Sequence, residues 1–106
     1  MRSRIQFASE RVKKDLEILE KSDKKLHSFI VRAFKDIEEN VFCGIQIPKR
    51  LIPKEYIQKF QVKNMWKYNL PGAWRLLYSI EGKNLVVISV ILEWMDHKTY
   101  ERRFKY

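Results

Sequence analysis

The chain has a single cysteine, Cys43, among its 106 residues. One thiol cannot form an internal disulfide, so an intracellular, cytoplasmic address is expected. The cysteine itself reads as a small buried hydrophobe at a helix end rather than as a nucleophile. Histidine is nearly as scarce. His27 and His97 lie far apart in sequence and share no ligand spacing with Cys43, so no metal site and no cofactor is expected. Long apolar runs are missing too. The most apolar stretch, Leu85 to Leu92, is too short to span a bilayer, and Met-Arg-Ser-Arg leads into nothing that resembles a signal peptide. There is no repeat and no low-complexity tract, so residues 1–106 are expected to form one domain with a core of its own.

Acidic residues are short in one half only. Residues 1–48 carry 10 Lys/Arg against 8 Asp/Glu, and residues 49–106 carry 12 against 5. The net charge of +9 is therefore concentrated in the second half. Such a balance points to a polyanionic partner, most commonly nucleic acid. A membrane surface competes with that reading, but no basic amphipathic helix with an aromatic face is present. Solvated lysines without a partner are the plain alternative.

What the chain does contain is a hairpin, Asn64 to Ile80. Trp66, Tyr68 and Leu70 alternate with Met65, Lys67 and Asn69; beyond Pro71-Gly72, Trp74, Leu76, Tyr78 and Ile80 alternate with Ala73, Arg75, Leu77 and Ser79. A two-residue loop would mix aromatics and charges on both faces. A three-residue loop pairs Leu70 with Trp74 and gathers seven large residues on one face. Burying each is worth about 1.5–3 kcal/mol, so the segregated register is expected. Lys67, Asn69 and Arg75 then share the opposite face, with Arg75, like His97, expected to face solvent.

Upstream, Arg4 to Phe7 reads as a short strand. Ser9 is placed to cap a helix to about Lys21, with Val12, Leu16 and Leu19 on one stripe. Ser22 or Asp23 caps a second helix, whose Leu26, Phe29, Ile30, Ala33, Phe34, Ile37 and Val41 keep helical spacing up to a stop at Gly44. The two form an antiparallel pair able to cover the apolar face. Gly44 to Pro53 is a connector with a short edge strand, and Pro53 opens a brief helix through Phe60. Glu81 to Asn84 reads as a turn, Leu85 to Leu92 as a strand covered on both faces, and Asp96 onward as a short terminal helix. The fold class is α+β: a helix pair on a small antiparallel meander, with a short helix at the end.

Trp66-Lys67, then Gly72-Ala-Trp-Arg75-Leu-Leu-Tyr78, an apolar strand, and Asp96-His97-Lys98-Thr99-Tyr100 together resemble the RelE/ParE superfamily of toxins from type II toxin–antitoxin systems. The order and spacing run from Lys24 to Phe104, and the ending is most similar to the mRNA-cleaving, RelE-like branch. The chain departs from that pattern at Asn69, where a second basic residue is common, and at His97-Lys98, where some members have arginine. Its connector from Gly44 to Lys63 is also longer.

The resemblance implies a ribosome-dependent mRNA interferase, an endoribonuclease that cuts mRNA in the ribosomal A site through the substrate's own 2′-hydroxyl. It implies no metal and no cofactor. Arg75 would stabilise charge on the phosphorane, a task suited to a planar guanidinium on a rigid strand. Lys67 would bind phosphate or assist proton transfer. His97, of the side-chain type best suited to proton transfer, would act as general acid or base. Tyr100, three residues on, would stack on a base or orient the histidine. Asn69, Lys98, Arg102 and Arg103 would contact RNA. The expected partner is a small acidic antitoxin, with the toxin monomeric alone or in a heterotetramer with it. Two other readings stay open: a ParE-like inhibitor of DNA gyrase, and a non-catalytic RNA- or ribosome-binding module.

Overall fold

The computed structural model describes residues 1–83 and 85–104, and of Lys83 the backbone only. The elements run β1 (Arg4–Phe7), α1 (Glu10–Ser22), α2 (Lys24–Glu39), β2 (Ile45–Gln46), α3 (Lys54–Phe60), β3 (Trp66–Leu70), β4 (Trp74–Lys83), β5 (Val86–Met95) and α4 (His97–Phe104). The architecture is α+β, with one five-stranded sheet in the order β1-β5-β4-β3-β2.

The hairpin has the expected register. Leu70 pairs with Trp74, Tyr68 with Leu76 and Trp66 with Tyr78 across a Pro71–Ala73 loop. Gly72 sits at φ 76°, a left-handed conformation that glycine adopts without steric cost. All seven large residues of the apolar face join one core with Val12, Leu26, Ile30, Ala33, Phe34, Ile37 and Val41. Helices α1 and α2 therefore cover this face. Their caps are the ones the sequence offers: the Val12 amide donates to Ser9 Oγ and the Leu26 amide to Asp23 Oδ1.

Five expectations need correction. The sheet is mixed, because β1 pairs parallel with β5, Arg4 opposite Ile88 and Phe7 opposite Ile91. Helix α2 ends at Glu39 with Asn40 as its cap, so Gly44 does not stop it. Gly44 instead serves close packing: a Cβ there would lie 2.7 Å from both the Lys67 carbonyl oxygen and the Tyr78 hydroxyl. Cys43 is exposed rather than buried. Partial covering of its sulfur and the nearby Asp36 carboxylate push the thiol up. Strand β4 runs on through Lys83, so Glu81 and Gly82 are strand, while Asn84 lies outside the described residues.

The fifth correction concerns the second face of the sheet, which is not a solvated surface. Ile47, Ile52, Tyr56, Val62, Met65, Leu77, Leu92, Met95, Tyr100 and Phe104 form a second core beneath α3 and α4. A bulge helps to build it. Tyr78 pairs with Ile91 but Leu77 with Glu93, so Leu92 is the extra residue on β5. Leu92 packs into the second core, and Glu93 reaches the Tyr56 hydroxyl. Among the described residues, no helix is long and apolar enough to cross a membrane.

Candidate functional site

Lys67, Asn69 and Arg75 do share a face of the sheet, because Lys67 pairs with Leu77 and Asn69 with Arg75. The two cations are diagonal neighbours. What joins them is α4. Its first turn is fixed by Asp96, whose Oδ1 accepts from the Thr99 amide at 2.8 Å and whose carbonyl accepts from Tyr100. That bond holds the Asp96 carboxyl below the usual range, as expected of an acid at a helix start. The apolar side of α4 seats Tyr100 and Phe104, stacked with ring centroids 4.5 Å apart, against the second core.

Tyr100 is only 3% exposed, so it offers no face to a nucleobase. Its ring instead carries the two cations: Lys67 Nζ lies 5.0 Å and Arg75 Cζ 5.8 Å from the centroid. Contacts of this kind hold a cation in place without neutralising it. Tyr100 is thus a platform for Lys67 and Arg75.

Arg75 is half-buried and incompletely bonded. Its Nη1 donates to the Trp74 carbonyl at 3.2 Å, and its Nη2 lies 3.5 Å from His97 Nδ1, at the outer limit of a hydrogen bond. Its Nε is buried with no hydrogen-bond partner among the described residues. A buried polar atom left so is uncommon and costs stability. His97 is exposed, and its other nitrogen, Nε2, lies 2.8 Å from Glu101 Oε1. Arg75, His97 and Glu101 therefore form a chain from strand to helix. Glu101 was not singled out by sequence, although its i, i+4 spacing from His97 was the available signal.

The remaining candidates separate. Asn69, Lys98 and Arg102 are exposed around this cluster's elements. Arg103 turns the other way. Its Nη1 donates to Glu93 Oε1 at 2.8 Å and to the Tyr56 hydroxyl at 3.0 Å, and Tyr56 donates to Glu93 Oε2 at 2.7 Å. Glu55 adds a longer contact at 3.8 Å. The bonds to Tyr56 and Glu93 hold the guanidinium more firmly protonated, and burial pushes the Tyr56 phenol up. This network lines a cleft of about 320 Å³ with Arg11, Asp15 and Lys59, away from Arg75.

Among the described residues no group of three His, Cys, Asp or Glu is placed to hold a metal ion. The arrangement can bind a phosphate with Arg75 and Lys67 and can move a proton at His97. Comparisons with family models, with curated proteins and with solved structures return no match for this chain.

Proposed function

We propose that this chain is the toxin of a type II toxin–antitoxin system, a RelE-like mRNA interferase working in the cytoplasm on ribosome-bound mRNA. The observation that carries this reading is Arg75: a half-buried guanidinium with an unsatisfied buried Nε, 3.5 Å from a histidine and sharing one aromatic platform with Lys67. An arginine left short of partners by its own fold is suited to take them from a phosphate. The packing of α1 and α2 on the apolar face of β3 and β4 fits the RelE-like arrangement. The cationic second half fits an RNA substrate and a small acidic antitoxin.

Cleavage then follows from substrate and side chains. The ribose 2′-hydroxyl attacks the adjacent phosphorus and the P–O5′ bond breaks. Arg75 stabilises the charge that builds on the equatorial oxygens, with Lys67 as a second phosphate contact. His97 handles a proton. Lys98, Arg102 and Asn69, exposed nearby, hold the strand. The reaction needs no metal ion, since RNA supplies its own nucleophile. The pairing of Arg75 with His97 favours a nuclease over gyrase inhibition or simple RNA binding, neither of which needs a proton-transfer group.

The test is a programmed ribosome carrying mRNA with a single 2′-deoxynucleotide at the cut site. All-ribose mRNA should yield a 5′ fragment ending in a 2′,3′-cyclic phosphate or its hydrolysis product, and the deoxy substrate should stay intact. Equal cleavage of both would end this reading.

A further inference from the structure

The His97 ring is addressed at both nitrogens. Nδ1 faces Arg75 Nη2 at 3.5 Å, and Nε2 faces Glu101 Oε1 at 2.8 Å. A guanidinium can only donate and an ionised carboxylate can only accept. A neutral imidazole has one N–H to place. Placed on Nδ1, it would set donor against donor at Arg75 and bare nitrogen against carboxylate at Glu101. Placed on Nε2, it satisfies both.

We propose that Glu101 is the positioning residue of His97, fixing the Nε2–H tautomer and the ring plane so that Nδ1 is the proton-accepting atom of the site. This deepens the nuclease reading and rests on it. Glu101 lies one helical turn beyond His97 on α4, so the same Asp96 cap and the same buried Tyr100 and Phe104 fix the turn of backbone that carries both exposed side chains. The charged groups around the imidazole are Arg75 from β4, Lys67 from β3 over the shared Tyr100 ring, and Asp96, Lys98 and Glu101 along its own segment. Of these, Glu101 is the carboxylate at bonding distance from the ring.

The chemical consequence is an order of events. In the free protein Arg75 stands against the Nδ1 lone pair. A phosphate that takes hold of the guanidinium draws it away and exposes that lone pair beside the phosphate itself. The 2′-hydroxyl proton passes to Nδ1, the 2′-oxygen bonds to phosphorus, the P–O5′ bond breaks, and the 5′-oxygen takes a proton from water. The imidazolium formed meanwhile keeps its second N–H on the Glu101 carboxylate, then returns its proton to solvent. Carboxylates oriented behind catalytic imidazoles serve in this way on unrelated folds.

Nitrogen-15 spectra of the full chain decide the matter without any substrate, with His27→Gln used to assign the His97 signals. At a pH where the ring is neutral, wild type and Glu101→Gln should show a bare Nδ1 and a protonated Nε2, since glutamine keeps an acceptor. Glu101→Ala, which leaves only the long Arg75 contact to hold Nδ1 bare, should show a clearly larger share of the Nδ1–H tautomer than either. In ribosome assays the alanine variant should lose about 10–100-fold in kcat with KM within about twofold, and the glutamine variant should recover most of that loss. An unchanged tautomer in Glu101→Ala overturns the proposal whatever the cleavage rate. A tautomer that responds to Glu101 in a chain that cuts no RNA upholds the positioning role and defeats the nuclease reading instead.

Discussion

On one face of the sheet the tyrosine hydroxyls are satisfied: Tyr78 donates to the Val41 carbonyl and accepts from the Gly44 amide, and Tyr68 donates to Asp36. On the other face Arg75 keeps a buried Nε with no partner among the described residues. Both faces are packed against helices, so burial does not distinguish them. Polar satisfaction does. The first face is finished by folding, whereas the second leaves Arg75 Nε, and Ser79 Oγ further along the same strand, without a partner among the described residues, and of the two only Arg75 carries a charge. The far end of the second face, by contrast, is closed by Arg103, Glu93 and Tyr56. Two arginines of identical chemistry, reaching the same second face, thus differ in how fully the fold satisfies them.

The largest expected effect breaks the open end. Arg75→Met keeps much of the stem and removes the charge, and cleavage should fall about 10²–10³-fold, as for loss of one transition-state donor. Stability should hold or rise, because an unsatisfied buried polar atom is removed with the charge. Thermal unfolding and ribosome-programmed cleavage of the same preparation check both. A clear loss of stability would place Arg75 with Arg103 as a structural group.

The next effect breaks the closed face. Gly44→Ala puts a Cβ 2.7 Å from the Lys67 carbonyl and from the Tyr78 hydroxyl, so β3 or Tyr78 must move. A cost of about 1–3 kcal/mol is expected from such overpacking. Denaturant unfolding measures it, and a variant as stable as wild type would mean that the Tyr78 hydrogen bonds are dispensable.

The third sharpens the contrast between arginines. Arg103→Met should cost about 1–2 kcal/mol, since its side chain is about a third exposed and its bonds are partly screened by solvent. Cleavage per folded molecule should stay within about twofold, and the salt dependence of RNA binding should not change, because Arg103 is turned away from the phosphate. A shallower salt slope would return Arg103 to the RNA-binding set. Exposed Arg102 is the internal control, and its removal should lower the slope.

The contrast also explains what could be read from sequence. The register was legible because only a three-residue loop segregates Trp66, Tyr68, Leu70, Trp74, Leu76, Tyr78 and Ile80, and the energy at stake is large. The helix pair was legible from its stripe and from Ser9 and Asp23. The parallel docking of β1 was not, since four residues carry no mark of the strand they will join. The Leu92 bulge left no trace in a strand apolar at nearly every position. Arg102 and Arg103 looked alike because Arg103's task is set by Tyr56, 47 positions away, and by Glu93 across the end of β5. Lys67, Arg75 and His97, singled out in the sequence, are gathered at one place, and Tyr100 lies buried beneath the cations. Local pattern encodes faces and caps. It does not encode which charge will meet which partner through the tertiary fold.

The smallest expected effect concerns the first face at alkaline pH. Burial, together with the hydrogen bond to the Asp36 carboxylate, pushes the Tyr68 phenol up to about 12, against an ordinary value of about 10. The folded state therefore keeps a proton that the unfolded chain gives up. Tyr68 contributes fully to stability below pH of about 10, and its contribution drains away as pH rises from about 10 to about 12. Tyr68→Phe removes both the bond to Asp36 and this linked proton. The variant should accordingly be less stable than wild type at neutral pH, while its unfolding midpoint declines less steeply over that alkaline window. Tyr56, whose phenol burial also pushes up, remains in both proteins and adds the same slope to each, while Tyr78, raised chiefly by burial and in small part by Tyr68, adds slightly less in the variant. The two curves should converge near pH of about 12. Curves that stay parallel from neutral pH upward would show that the Tyr68–Asp36 bond is not linked to folding, and that this hydroxyl is satisfied by solvent as readily as by the fold.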